Sequence, residues 1–154
     1  MYFFYSDFVV DAMLKCRNIV SHVLRRRFTC LAFETSCDDT GVAILNSDGL
    51  ILGETVHSQL KNTIRFGGVI PPIAASFHRD SLEPAFQEVL TQAKGFSNDL
   101  SNIDYLAVTY APGIPISLRT GVEFAKKLAI QYRKPLIPIH HMQAHALTPR
   151  LTEK

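Results

Sequence analysis

Cys30-Leu31-Ala32-Phe33-Glu34-Thr35-Ser36-Cys37-Asp38-Asp39-Thr40-Gly41-Val42-Ala43-Ile44-Leu45 is the stretch that decides the fold. A short apolar run enters a polar turn over Glu34–Thr40, and a second apolar run leaves it, which reads as strand, turn, strand. Asn46-Ser47-Asp48-Gly49 carries a strong hairpin signal. Leu50-Ile51-Leu52-Gly53-Glu54-Thr55-Val56 follows as a third strand. Three antiparallel strands therefore fill residues 30–57.

Further along, the period changes from two to that of a helix. Gly67-Gly68-Val69-Ile70-Pro71-Pro72 reads as a flexible loop closed by two prolines, with Pro72 placed to start a helix. From Ile73 to Ala93 the pattern is helical, and Leu82, Phe86, Val89 and Leu90 form an apolar stripe at i, i+4, i+7 and i+8. Pro84 is expected to kink this helix or restart it, with Ser81 as the cap. His78, in its first part, reads as a structural histidine. Tyr105-Leu106-Ala107-Val108-Thr109-Tyr110 is a buried strand, and Ala111-Pro112-Gly113 turns the chain into a helix from about Ser117 to Tyr132. Leu136-Ile137-Pro138-Ile139 makes a last strand, leading to a short helix that Pro149 ends. The order is β-β-β-α-β-α-β-α, an α/β arrangement.

The chain has 154 residues with 47% apolar side chains, enough for one domain with a real core and a poor match to disorder. The net charge of +2 is unevenly spread. Lys15, Arg17, Arg25, Arg26 and Arg27 face only Asp7 and Asp11 in the first thirty residues, and the remainder is slightly acidic. The body thus lacks the bulk electrostatics of a nucleic-acid binder, so any RNA contact rests on a local patch. Cys16, Cys30 and Cys37 form an odd set without metal-ligand spacing, which fits a reducing compartment. No run approaches the roughly 18 apolar residues of a membrane span. From Met13 to Arg27 the sequence is basic, Ser-containing and free of acids, as in a mitochondrial presequence. Residues 1–29 are accordingly expected to be a targeting leader, with initiation at Met13 giving the cleaner signal, and residues 30–154 the folded lobe.

Two side-chain groups carry chemistry. His141 and His145 stand at i and i+4 on the last helix, with Cβ atoms roughly 6 Å apart, so both rings can converge on one metal ion. His140 points about 100° around the helix and is the poorer candidate. A zinc protease needs Glu directly after the first histidine, and Met142 stands there, so a metal here would hold substrate rather than generate a hydrolytic nucleophile. Asp38 and Asp39 are adjacent carboxylates after an apolar strand, which is costly unless a ligand, a metal or solvent answers them. Each group alone has a plain alternative: half-exposed histidines on an amphipathic helix, and an ordinary solvated turn. The Gly113 turn is where α/β sheets present amides to phosphates, although as a motif it is unspecific and plain connectivity is the better reading of it by itself.

Four stretches in order, Phe33–Gly41, Phe66–Pro72, Pro112-Gly113 and His141–His145, resemble the TsaD-like family of tRNA N6-adenosine threonylcarbamoyltransferases, formerly labelled O-sialoglycoprotein endopeptidases. The resemblance spans residues 30–148, and Pro71-Pro72 with the doubled histidine are most similar to its mitochondrial branch. It implies one lobe of the actin, Hsp70 and sugar-kinase fold and a mitochondrial matrix location. It also implies transfer of threonylcarbamoyl from threonylcarbamoyl-adenylate to N6 of the adenosine 3′ of a tRNA anticodon. His141 and His145 match the family's metal-ligating histidines, for one divalent ion, zinc or iron. Asp38 and Asp39 match acidic positions at the reaction centre, and Gly113 a nucleotide-binding turn. The imidazole pair and the aspartate pair are expected to share one pocket.

Members of the family are more than twice as long, and a second lobe supplies a carboxylate ligand and most nucleotide contacts. The chain by itself is therefore expected to hold metal weakly and to show little or no transferase activity. The alternative is a non-catalytic fragment that self-associates or binds a full-length homologue.

Overall fold

The computed structural model describes residues 27–96 and 100–147. Its elements run β1 (Thr29–Glu34), β2 (Thr40–Asn46), β3 (Ile51–His57), α1 (Leu60–Phe66), α2 (Pro71–Gln92), β4 (Tyr105–Ala111), α3 (Pro115–Tyr132), β5 (Leu136–His140) and α4 (His141–Leu147). They build one five-stranded sheet in the order β3-β2-β1-β4-β5. The meander pairs antiparallel, with Phe33 opposite Val42, because short turns reverse the chain. The crossovers through α2 and α3 bring β4 and β5 in parallel to β1, with Phe33 also beside Val108.

Alternation along the buried strands feeds two cores. Leu31, Phe33, Val42, Ile44, Leu106 and Val108 face α2 and α3, where Leu82, Phe86, Val89, Ala125 and Leu128 meet them. Cys30, Ala32, Ala43, Leu45, Ala107, Ile137 and Ile139 point to the opposite face, which α4 closes with Ala144. Phe33, Phe86 and Phe124 lock sheet and helices together, with ring centroids 5.5 to 6.4 Å apart. Truncating one such ring to alanine typically costs about 3–5 kcal/mol.

Two features depart from the pattern read in the sequence. Helix α1 has no buried residue, so no apolar stripe marked it. It ends at Gly67 in the left-handed region (φ 71°), with the Gly67 and Gly68 amides donating to the carbonyls of Ile64 and Thr63. Helix α2 starts at Pro71 and neither breaks nor restarts at Pro84. That proline lies on the exposed side, so the carbonyl it leaves without a partner can turn to water while Leu82, Ala85 and Phe86 stay packed. Met1–Arg26 and Pro149 lie outside the described residues, and with them almost all of the expected leader and the expected helix stop.

Candidate active site

Strands β1, β4 and β5 are parallel and end at one edge of the sheet, where open α/β sheets bind ligands. Three segments meet there: the loop Thr35–Asp39 after β1, the turn Pro112–Ile114 after β4, and the start of α4. Sequence alone dictates this meeting, because each crossover returns the chain to the same edge.

The loop after β1 is held from every side. Thr35 Oγ1 donates to the Ser117 carbonyl at 2.9 Å, and the Ile114 amide donates to the Ser36 carbonyl at 2.7 Å. Gly113 is packed so tightly that a Cβ there would stand 2.9 Å from Ser36 Cβ and closer still to the Ser36 carbonyl oxygen. Its glycine therefore serves close approach of two backbones. The α3 N-terminus lacks a side-chain cap, so the amides of its first turn carry unanswered donor capacity. Ser117 Oγ is buried there with no hydrogen-bond partner among the described residues.

Asp38 and Asp39 turn toward α1. Thr63 Oγ1 stands 3.3 Å from Asp38 Oδ2 and 3.1 Å from the Gln59 carbonyl, so one hydroxyl proton serves both acceptors. The Gln59 amide donates to Asp39 Oδ1 at 3.0 Å. Both aspartates keep partial solvent contact.

The imidazole pair meets a different carboxylate. Glu34, buried at the end of β1 with 6% exposure, accepts from the Ser36 amide, the Thr109 hydroxyl and His141 Nδ1, the last at 3.2 Å. Burial pushes the Glu34 carboxyl up. The hydrogen bonds from His141, Ser36 and Thr109 outweigh it and hold the group below the usual carboxylate range. The Glu34 hydrogen bond raises His141 in turn, against a smaller opposing effect of burial. His141 Nε2 lies 2.9 Å from His145 Nε2, so a proton occupies the space between the two nitrogens. His140 closes β5 instead, with its ring edge-on to Tyr110 and its Nδ1 buried without a partner among the described residues.

The structure thus brings His141 and His145 together and sets Asp38 and Asp39 on the same sheet edge, in a neighbouring station facing α1. Among the described residues no group of three or more His, Cys, Asp and Glu side chains gathers closely enough to hold a metal ion. Glu34 is the buried partner of the imidazole pair that motif reading passed over. Its signal was an acid at the end of an otherwise apolar strand, which demands a buried partner.

The sequence matches a known family. The family model for TsaD, tRNA N6-adenosine threonylcarbamoyltransferase, matches residues 50–154. The chain belongs to the TsaD family. A mitochondrial tRNA N6-adenosine threonylcarbamoyltransferase of Mus musculus is 46% identical over 124 residues, covering 80% of this chain and 29% of that protein. A probable mitochondrial one of Drosophila melanogaster is 44% identical over 135 residues, 87% of this chain and 32% of that protein. A bacterial TsaD relative, the tRNA N6-adenosine threonylcarbamoyltransferase of Persephonella marina, is 44% identical over 80% of this chain and 35% of its own length. The chain spans about a third of the length of these relatives. Among solved structures, YeaZ from Pseudomonas aeruginosa superposes with a TM-score of 0.55 at 24% identity, over 73% of this chain and 43% of that one. That likeness is one of fold, in keeping with a single lobe of the actin, Hsp70 and sugar-kinase architecture.

The donor set suits the divalent ion expected in a TsaD protein. His141 Nε2 and His145 Nε2, 2.9 Å apart, are the imidazole nitrogens that would hold such an ion. Glu34 accepting from Nδ1 fixes the His141 tautomer that leaves Nε2 for a metal. Two ligands are nonetheless an incomplete set, to be filled from other groups, water or substrate oxygens.

Proposed function

We propose that this chain serves tRNA N6-adenosine threonylcarbamoyl transfer in the mitochondrial matrix. The threonylcarbamoyl group would pass from threonylcarbamoyl-adenylate to N6 of the adenosine 3′ of the anticodon, releasing AMP and a proton. Family membership supports the reaction, and the names of the animal relatives together with the basic stretch Met13–Arg27 support the compartment. The single observation that carries the reading is the chain from buried Glu34 through half-buried His141 to His145, which presents two Nε2 atoms at one point of the carboxyl edge.

His141 and His145 would hold a divalent ion, zinc or iron. Such an ion supplies charge that anchors and polarises substrate oxygens. Glu34 orients His141 through Nδ1. Asp38 or Asp39, half-exposed on the neighbouring station, takes the proton lost as N6 attacks the carbamoyl carbon. The Gly113 turn and the uncapped amides at the start of α3 face the adenylate phosphate. With only two converging imidazoles among the described residues, the chain by itself binds metal weakly and turns over little.

The test is a chimera in which this chain replaces the matching stretch of the mouse relative, incubated with mitochondrial tRNA and threonylcarbamoyl-adenylate. Mass spectrometry of the digested tRNA should show threonylcarbamoyladenosine, lost in the His141→Ala and His145→Ala chimeras. Full modification by both alanine chimeras would refute the assignment of these residues.

A further inference from the structure

His78 is fully buried on α2, yet both of its ring nitrogens reach the loop after β1. Nε2 lies 3.1 Å from the Cys37 carbonyl and Nδ1 lies 2.8 Å from Thr40 Oγ1. A carbonyl only accepts, so Nε2 carries the hydrogen, and Nδ1 accepts from the Thr40 hydroxyl. Cys37 and Thr40 are the two residues that flank Asp38 and Asp39. We propose that His78 is a positioning residue for the aspartate pair, an imidazole clip that spans the loop from the residue before the pair to the residue after it.

The rest of α2 and α1 extends the same scaffold. Gln59 is buried, its side-chain amide donates to the Ala74 carbonyl at 3.2 Å, and its backbone amide holds Asp39. The anchor of Gln59 and His78 thus stand four positions apart, one turn of α2, and both struts end on the acidic loop. Burial holds the His78 ring below its ordinary pKa, against hydrogen bonding to Cys37 and the fields of Glu34, Asp38 and Asp39. The ring is therefore neutral, as the two hydrogen bonds require. A satisfied core histidine need not touch the loop at all; this one touches it on both sides of the pair.

The inference rests on the reading of Asp38 and Asp39 as working groups, but its test does not use transfer. Cys37 reports the loop: it is exposed, and partial burial, then Asp38, pushes its thiol up to about 11. In a Cys16→Ser background of the full chain, the pH-rate profile of Cys37 alkylation by iodoacetamide reads that environment. Releasing the loop with His78→Phe, which keeps the ring volume without either bond, should move the profile toward the ordinary thiol value of about 8.5 and speed alkylation at pH 8 by tenfold or more. His78→Gln, which keeps an N–H donor near the Nε2 position, should restore much of the wild-type profile. Thr40→Val should shift it part of the way and Thr40→Ser not at all. Nitrogen-15 spectra should show the His78 ring as the Nε2–H tautomer, titrating below its ordinary value.

An unshifted profile in a folded His78→Phe protein overturns the proposal; where that variant does not fold, an unshifted Thr40→Val profile does. If Asp38→Asn and Asp39→Asn both leave transfer by the chimera intact, the catalytic reading fails while the clip stands or falls on the alkylation data.

Discussion

Glu34 and His141 lie 107 positions apart in the chain and are joined by a 3.2 Å hydrogen bond from Nδ1 to Oε2. The carboxylate is buried at the end of β1, and the imidazole opens α4 one strand beyond β4. Because His145 Nε2 lies 2.9 Å from that of His141, the three side chains form one polar thread at the carboxyl edge of the lobe. The thread ties the first strand of the fold to its last helix, and it aims the imidazole pair.

Removing the carboxylate should therefore cost both stability and metal affinity. Glu34→Ala strands the Ser36 amide, the Thr109 hydroxyl and His141 Nδ1, with an expected loss of about 3 kcal/mol or more in urea unfolding. Glu34→Gln keeps the shape and should cost less, about 1–2 kcal/mol. Either variant should weaken divalent-ion binding by about 10–100-fold in calorimetry.

The same pair predicts the pH profile of stability. Glu34 titrates lower in the folded protein than unfolded, so its contribution is present above its ordinary value near 4.5 and is lost as pH falls through the folded value. His141 titrates higher when folded, so its contribution is complete below about 6.5 and is lost as pH rises through its raised value. The pair thus stabilises most between about pH 4.5 and 6.5. Unfolding midpoints across pH should show a hump in that window for wild type that Glu34→Gln flattens. An identical hump in both proteins would remove the pair as its source.

Two glycines separate backbone from side-chain crowding. Gly113→Ala drives a methyl into the Ser36 backbone, which cannot yield without moving the acidic loop, and should destabilise by about 1–3 kcal/mol. Gly121→Ala meets the Thr35 side chain instead, and Thr35→Ala should relieve it. A double-mutant cycle of Gly121→Ala with Thr35→Ala should give a favourable coupling of about 1 kcal/mol, and Gly113→Ala should show none with Thr35→Ala.

The aspartates should separate chemistry from structure. Asp39→Asn can still accept from the Gln59 amide, and Asp38→Asn from Thr63, so thermal midpoints should move little. In the chimera, the member of the pair that takes the N6 proton should lose about 10²–10⁴-fold in turnover and the other less. Equal, small effects in both would leave proton removal to another group.

How much of this was legible in the sequence follows from what each feature buries. The strands stood out because Leu31, Phe33, Val42 and Ile44 alternate with small residues over a two-sided core. Helix α2 stood out through Leu82, Phe86, Val89 and Leu90, but its passage through Pro84 did not, since local propensity argues for a break and only packing against the sheet overrides it. Helix α1 has no buried residue and left no periodic trace, so Gly67 read as part of a loop rather than as a helix stop. The i, i+4 histidines were legible as a pair because a helix fixes their separation. Their partner Glu34 was not, because it reaches them through a parallel crossover, and spacing within a chain does not reveal contacts across a sheet. The aspartates and imidazoles were expected in one pocket; the fold sets them at one edge, with Glu34 as the carboxylate that meets the imidazoles.

The most direct measurement is a titration of the nitrogen-15-labelled chain with zinc, followed through the histidine rings. The account predicts that the Nε2 resonances of His141 and His145 shift together on one isotherm, that His141 keeps its Nδ1 hydrogen, and that His145→Ala weakens the His141 response at least tenfold. Independent isotherms for the two rings, or a zinc response at His57 or His78 with none at His141, would contradict it.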